Sequence, residues 1–344
     1  MTAAILTNTL YVLTNDAFLR RDHESLEVSV QREVKLRVPV RNVDSVVAFG
    51  RTLVSPEAMR LCADFGVALT FLSEGGWLIA RVDAPGSGNV LLRRQQFRLA
   101  DDPAATLAIA RCVVLGKLVN ERTLLLRSAR DAPVPQAEAL RRSAARIAEV
   151  IPSAQEVGTM DALRGCEGAG ARAYFSGLPF AMRQQTDAFP FTGRNRRPPR
   201  DRCNALLSFL YALVLSDCVA GLTAAGLDPS VGYLHEDRPG RPSLALDLLE
   251  EFRPLVADRL ALALINRRQI GPGDFELREG GAVLLSEAGR RTVLTEYQRR
   301  KQEVVPHPFL GQSARLVQVY TVQARLLARR IRGELAVYPP FTAR

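Results

Sequence analysis

The first quarter of the chain has the apolar periodicity of β-strands. Residues 26–30 and 34–40 alternate apolar with polar side chains, as half-buried strands do. Residues 9–13 begin a strand in the same region, and residues 46–49 and 67–72 are continuously apolar, as inner strands often are. Ser55, Pro56 and Glu57 supply a cap, a first-turn proline and an early acid, which predict a short helix to about residue 64. A further strand is expected at residues 77–82.

A turn-rich segment at residues 84–88 ends this pattern, and a helical period follows it. One hairpin is expected where residues 275–278 and 282–285 flank Gly280 and Gly281. The sequence therefore predicts an α+β protein with a β-rich, sandwich-like domain at residues 1–85, a linker at 86–95 and a larger all-helical domain at 96–344. The predicted helices span residues 90–100, 104–130, 135–150, 157–178, 201–225, 244–268, 286–303 and 313–333.

Charge indicates the kind of partner. The 344 residues carry a formal net charge of +10, and Lys35, Lys117 and Lys301 are the only lysines among 46 basic residues. Arginine suits bidentate pairing with phosphate, and excess positive charge favours a polyanionic partner. A GC-rich genome, which favours arginine codons, explains part of the bias.

The cysteines and the longest apolar run indicate the compartment. None of the five cysteines forms a CxxC pair, so neither a zinc site nor a disulfide framework is predicted, and a reducing cytoplasm fits. No secretory signal is recognisable at the N-terminus. Residues 205–226 are long enough to resemble a membrane span, but Asp217 within them favours a buried core helix.

An acidic run is the first candidate for chemistry. Asp247 precedes Glu250 and Glu251 by three and four residues, so on a helix these acids share or border one face. Carboxylates this close repel one another unless a cation or a base lies between them. His235, one of three histidines, stands twelve residues before Asp247. The simpler interpretation is a solvated helix face, and the run alone favours it.

A glycine-rich helical stretch is the second candidate. Glu167 lies among Gly165, Gly168 and Gly170. Each glycine costs a helix about 1 kcal/mol relative to alanine, which is tolerated where another helix or a nucleic acid approaches closely. A tight helix crossing with Glu167 at its edge is the alternative interpretation.

A basic segment is the third candidate. Residues 184–202 combine prolines with arginines and predict a mobile loop, which is equally consistent with a solvated linker and with phosphate contacts. The arginines that would bind DNA are Arg194, Arg196, Arg197, Arg200 and Arg202.

Together, the Glu167 segment, His235 and the acidic run resemble the catalytic subunit of the CRISPR spacer-acquisition complex, a DNA integrase and endonuclease. The segment 201–209 and the β-then-α order are also similar, so the resemblance covers nearly the whole chain. It implies that Glu167, His235 and Glu250 bind a divalent metal, with Glu251 as an alternative third ligand. It also implies supporting roles for Asp247, Arg253 and Asn204.

Two carboxylates and one imidazole suit Mg²⁺ or Mn²⁺, and the nitrogen ligand slightly favours manganese. The resemblance further implies attack by the 3′-hydroxyl of a captured double-stranded DNA fragment (the prespacer) on the CRISPR repeat. As partners it implies a second copy, which makes a homodimer through the N-terminal region, and a small ferredoxin-like companion subunit. The alternative is a non-catalytic nucleic-acid scaffold. A phosphohydrolase of small nucleotides ranks last, since no glycine-rich phosphate loop is present.

Overall fold

A computed structural model describes residues 9–76, 78–82, 89–195 and 198–343. The chain divides into two compact units, Met1–Ser87 and Gly88–Arg344. Helix α2, at Val90–Ala100, occupies the second part of the segment expected to be a linker.

The described part of the first unit contains two four-stranded sheets and one helix. One sheet has the order β1-β5-β7-β8, and the other has the order β4-β3-β2-β6. Residues from both sheets and from the helix form one apolar core, which includes Leu19, Leu26, Val46, Leu61 and Leu69. The elements are β1 (Thr9–Val12), β2 (Ala17–Asp22), β3 (Ser25–Val30), β4 (Glu33–Pro39), β5 (Ser45–Phe49), β6 (Leu53–Val54), α1 (Pro56–Asp64), β7 (Ala68–Leu72) and β8 (Leu78–Val82).

Most strands of this unit lie where the periodicity predicted them, and the β-rich, sandwich-like first part is confirmed. Strands β2 and β6 were not predicted. In β2, Ala17 and Leu19 face the core while Phe18 and Arg20 are exposed, but the charged residues Arg20-Arg21-Asp22 shorten the alternation in the sequence. The start of the strand expected at residue 77 lies outside the described residues.

The second unit is mainly helical, as predicted. Its elements are α2, α3 (Pro103–Arg130), α4 (Val134–Glu156), α5 (Met160–Gly177), α6 (Arg202–Ala224), α7 (Ser243–Phe252), α8 (Arg259–Asn266), β9 (Phe275–Leu277), β10 (Val283–Leu285), α9 (Glu287–Lys301), β11 (Val304–His307), β12 (Gln312–Arg315) and α10 (Leu316–Ile331). The hairpin β9–β10 was predicted, whereas the hairpin β11–β12 was not. Consequently, the last helix begins three residues later than expected.

Helices α3 and α6 form the centre of this unit. Among the described helices, these two are long and apolar enough to cross a membrane by length and composition, a test that buried core helices also pass. Most of α6 is buried, and α3 packs against α4, α5 and α7. All five cysteines lie in the described part of the chain and are free thiols.

The C-terminal segment, residues 332–343, packs against α3 and α7 in the helical unit. Glu251, fully buried on α7, accepts hydrogen bonds from the Tyr338 hydroxyl at 2.5 Å, the Phe341 amide at 2.7 Å and the Gln323 side chain at 2.9 Å. Asn120 on α3 donates to the carbonyl oxygens of both Glu251 and Phe341. Burial raises the pKa of Glu251 to about 7 despite these bonds.

We predict that Tyr338→Phe lowers the free energy of unfolding of the helical unit by about 1–3 kcal/mol, because a buried acid loses its hydroxyl donor. Urea unfolding followed by helical circular dichroism measures this change. Val337→Ala, at an exposed neighbouring position, is the matched control and should change stability far less. Equal stability of Tyr338→Phe and the wild type would contradict the role assigned to this bond.

Candidate functional site

The segment predicted as one helix at residues 244–268 contains a wider turn. Helix α7 continues through a π-helical turn at Arg253–Asp258 into α8. Pro254 lacks a backbone donor and its ring clashes with the preceding turn of an ideal α-helix, which a wider turn relieves. All six residues of the π turn are buried, so the irregularity lies inside the protein and presents Arg253 and Asp258 to the site.

The two neighbouring acids of α7 have different surroundings. Glu251 holds the C-terminal segment. Glu250 lies beside Arg253, whose Nη1 is 2.8 and 3.0 Å from its two carboxylate oxygens. His235 Nε2 lies 4.0 Å from Oε1 of Glu250. Of the two acids that the sequence left open, Glu250 is therefore the one near His235.

Lys117 of α3 joins the two predicted carboxylate ligands. Its Nζ lies 2.7 Å from Oε2 of Glu250 and donates a short hydrogen bond to Oε1 of Glu167 on α5. The lysine side chain is 3% exposed and that of Glu250 is 6% exposed, whereas that of Glu167 is 29% exposed. Three helices thus contribute one charged group each to a cluster that is buried on one side and open at Glu167.

Asp247 fixes His235 and the chain around it. Its carboxylate accepts hydrogen bonds from the backbone amides of Tyr233, Leu234 and His235 at 2.7, 3.0 and 2.9 Å. Its Oδ1 also lies 2.7 Å from Nδ1 of the imidazole. An Nδ1–H that donates to this carboxylate leaves the lone pair of Nε2 directed toward Glu250.

Helix α5 positions the opposite side of the cluster. Arg164 donates to the carbonyl oxygen of Leu234 at 3.2 Å and thereby ties α5 to the histidine loop. Gly170 allows α5 to approach α3, because a Cβ there would lie 2.1 Å from Cδ2 of Leu118. A Cβ at Gly165 would meet nothing within 4 Å. Of these glycines, Gly170 makes the close approach, and Gly165 leaves the surface next to Glu167 bare.

An aromatic ring and an acidic group lie next to Arg253. Its guanidinium lies 4.4 Å from the centroid of the Tyr211 ring. The hydroxyls of Tyr211 and Tyr174 donate to the two oxygens of Asp258 at 2.6 and 2.7 Å. Tyr211 thus packs against the guanidinium and also anchors Asp258, whose negative charge favours the charged form of Arg253.

Electrostatics keep Glu250 ionised. Burial by itself raises the pKa of this carboxyl, but Arg253 and Lys117 outweigh it and hold the pKa well below its usual range. Burial alone would lower the pKa of Lys117, and Glu250 and Glu121 raise it instead. The lysine is therefore a permanent ammonium at neutral pH.

Glu121 is a further acid in this cluster. It lies one helical turn after Lys117 on α3 and is 2% exposed. Burial raises its pKa to about 8, although Lys117 and Arg253 act in the opposite direction. Within the described part of the chain its Oε2 atom has no hydrogen-bond partner.

The donor set fits a divalent cation. Two carboxylates that share one ammonium show that this position accepts positive charge, and the imidazole adds a nitrogen donor next to it. Among the described residues no three His, Cys, Asp or Glu side chains are already assembled around a common point. Lys117 lies between Glu167 and Glu250 and contacts both.

Part of the arginine-rich segment makes hydrogen bonds to Asn204. Asn204 is fully buried; its oxygen accepts from Arg194 Nη1 and the Asn195 amide, and its nitrogen donates to Gly193 and Asp201. This residue therefore docks the segment on the start of α6. Arg202 donates to the carbonyl oxygen of Ala188, while the Arg200 side chain is exposed. Arg196 and Arg197 lie outside the described residues.

Sequence reasoning did not select Lys117 and Glu121. A signal was present, because Lys117, Asn120 and Glu121 interrupt an apolar helix with the spacing of one face. Buried polar residues on such a face need partners, which only the packing of α5 and α7 identifies.

We predict that Glu121→Gln becomes progressively more stable than the wild type as pH rises from about 5 to about 8. Between the ordinary pKa of glutamate and about 8 the unfolded chain releases this proton while the folded chain keeps it, so wild-type stability falls with pH. The difference should grow by up to about 1.4 kcal/mol per pH unit. Urea unfolding of both proteins across this range measures it, and a pH-independent difference would contradict the assignment.

The family model for CRISPR associated protein Cas1 matches residues 10–299. The chain is 45% identical over 338 residues to CRISPR-associated endonuclease Cas1 1 of Chlorobaculum tepidum, covering 98% of both chains. It is 48% identical over 344 residues to CRISPR-associated endonuclease Cas1 2 of Rhodospirillum rubrum, again with 98% of both covered.

Solved structures share the fold. A casposase bound to integration product aligns with a TM-score of 0.83 at 22% identity, over 97% of this chain and 93% of that chain. A chain of a Cas6-RT-Cas1–Cas2 complex aligns with a TM-score of 0.81 at 22% identity, over 98% of this chain and 36% of that one. Both agree with the β-then-α architecture, and the family match together with the close relatives confirms the resemblance seen in the sequence. The chain belongs to the Cas1 family of CRISPR-associated nucleases.

Proposed function

We propose that this protein is a divalent-metal-dependent DNA endonuclease and integrase that inserts captured DNA fragments into a CRISPR array. Glu167, His235 and Glu250 are the proposed ligands of Mg²⁺ or Mn²⁺. The observation that carries the proposal is the pair of carboxylates on one buried cation, with His235 Nε2 4.0 Å from Glu250. A solvated helix face, the simpler interpretation of the acidic run, does not require such a pair.

Each side chain has a definite task in this proposal. When bound, a divalent cation supplies Lewis-acid activation of a phosphodiester and stabilises the charge that develops on it. Glu167 and Glu250 provide oxygen donors, and His235 provides Nε2. Asp247 holds the imidazole in the tautomer that leaves Nε2 unprotonated. Arg253 keeps Glu250 ionised and fixed in position.

The reaction is a phosphoryl transfer. The 3′-hydroxyl oxygen of the captured fragment forms a new bond to phosphorus at the repeat boundary, and the bond to the departing 3′-oxygen of the repeat strand breaks. The proton of the attacking hydroxyl is released and the departing oxygen is protonated. With water as nucleophile the same exchange hydrolyses DNA, which agrees with the name endonuclease that the close relatives carry.

DNA and protein partners are proposed on separate grounds. The net charge of +10 favours a polyanion, and the casposase of the same fold is described as bound to integration product. The neighbour in a complex with Cas2 supports a small companion subunit for this chain. Among the predicted DNA-binding arginines, Arg200 is exposed, whereas Arg194 and Arg202 make hydrogen bonds within the protein.

The N-terminal unit is the proposed dimerisation domain. The sheet β4-β3-β2-β6 exposes the large apolar side chains of Phe18, Val34, Leu36 and Leu53. Exposed apolar side chains of this size on one sheet favour a protein partner, here a second copy. Sedimentation equilibrium of the whole protein and of Leu53→Asp tests this, and a wild-type monomer would contradict it.

We predict that Glu167→Ala, His235→Ala and Glu250→Ala each abolish metal-dependent strand transfer, because each removes one of three donors. The measurement uses a fluorescent DNA fragment and a supercoiled repeat-bearing plasmid, with Mg²⁺, Mn²⁺ or EDTA and with the companion subunit added. Asp161→Ala, at an exposed acid on the same helix as Glu167, is the matched control and should retain activity.

Circular dichroism must show each variant to be folded. Full strand transfer by folded Glu167→Ala would refute the proposed site. DNA binding by the wild type without cleavage or joining in either metal would instead favour the non-catalytic scaffold.

We predict that Arg200→Ala weakens DNA binding and reduces the slope of log affinity against log salt by about 1, because one phosphate contact is lost. Fluorescence anisotropy over a salt series measures the slope. This measurement does not depend on DNA cleavage. An unchanged slope would therefore show that Arg200 does not contact DNA, and it would not bear on the proposed metal site.

A further inference from the structure

Lys117 occupies a position that the proposed metal also requires. Its ammonium contacts Glu167 and Glu250 at once and is 3% exposed. A divalent cation held by the same two carboxylates would lie close to this ammonium, and like charges at that distance repel strongly in a buried environment. Ammonium and metal therefore compete for one pair of carboxylates.

A displaced ammonium needs another acceptor nearby. Lys117 lies on the inner side of α3, so leaving its charge there without a partner would be costly. The next polar residue on this face is not available, because the Oδ1 atom of Asn120 already accepts a hydrogen bond from the Ala343 amide. Asp258 is likewise occupied by two tyrosine hydroxyls.

Glu121 can receive the ammonium, because a cation brought against its Oε2 favours the carboxylate over the protonated acid that burial otherwise maintains. It is one helical turn from Lys117, which is the separation at which lysine and glutamate side chains on a helix meet. It is 2% exposed, and its Oε2 atom has no partner in the described part of the chain. A Cβ at Gly170 would lie 3.9 Å from that oxygen, so Glu121 sits beneath α5, the helix that carries Glu167.

We propose that Lys117 and a divalent cation compete for Glu167 and Glu250, and that Glu121 accepts the Lys117 ammonium when the cation binds. This rests on the proposed metal site. Lys117 and Glu121, both buried, are then positioning residues that act through the two proposed ligands. The exchange keeps the two carboxylates paired with positive charge at every stage and keeps the ammonium paired as well.

The test is a double-mutant cycle on Mn²⁺ affinity, measured by isothermal titration calorimetry with the full chain stripped of metal. Lys117→Met removes the competitor and should tighten Mn²⁺ binding about tenfold. Glu121→Leu removes the acceptor but leaves Lys117 and should weaken binding about tenfold. In the Lys117→Met background Glu121→Leu should have no effect, because no ammonium remains to be moved.

An unchanged or weaker Mn²⁺ affinity of Lys117→Met would overturn the inference, and so would an equal effect of Glu121→Leu in both backgrounds. Thermal unfolding in EDTA checks that each variant folds. If Lys117→Met does not fold, the Mn²⁺ affinity of Glu121→Leu is the deciding measurement. An affinity equal to that of the wild type would show that Glu121 is not the acceptor.

Failure of the proposed site itself gives a different result. In that case the wild type binds no Mn²⁺, or Glu250→Ala binds it as tightly as the wild type. A third result separates the two proposals. If Glu250→Ala weakens Mn²⁺ binding but Lys117→Met and Glu121→Leu do not change it, the exchange is wrong and the metal site stands.

Discussion

One buried ammonium, shared by two carboxylates from different helices, is the contact on which the site depends. Lys117 of α3 lies against Glu167 of α5 and Glu250 of α7, and Arg253 adds a second cation to Glu250. Two acids so close would repel each other, and burial would increase the cost of ionising them. Because the cations oppose both effects, charge pairing and helix packing specify the same arrangement of α3, α5 and α7.

The surrounding structure restricts the freedom of these groups. The Asp247 carboxylate accepts hydrogen bonds from three backbone amides and contacts one imidazole, so it ties the histidine loop to α7. On the far side of α7, Glu251 binds the C-terminal segment. The two adjacent glutamates thus have separate roles. Glu250 faces the candidate metal site, and Glu251 binds the C-terminal segment to α7. Rigid supports of this kind hold ligating side chains in fixed orientations.

Local pattern predicted most of the fold, and its failures have physical causes. The short strand β2 was hidden by consecutive charged residues, and β11 contains Pro306, which is unfavourable in a strand except at an edge or bulge. The turn between β3 and β4 joins two predicted strands. It places Gln31 and Arg32 at φ of 50° and 67°, without the asparagine or glycine that usually marks such a turn. In each case pairing with a neighbouring strand outweighs a weak local preference.

The β-then-α order, the acidic and glycine-rich segments and the family could be predicted from the amino-acid sequence alone. These features depend on periodicity and on residue types at fixed spacing, which are local properties. Packing of the helices places Glu250 rather than Glu251 beside His235, and it brings Lys117 and Glu121 to the same cluster. It also places Arg194 against Asn204, which docks the basic segment. Those facts depend on which helix faces meet, and distant parts of the chain meet only when the core is packed.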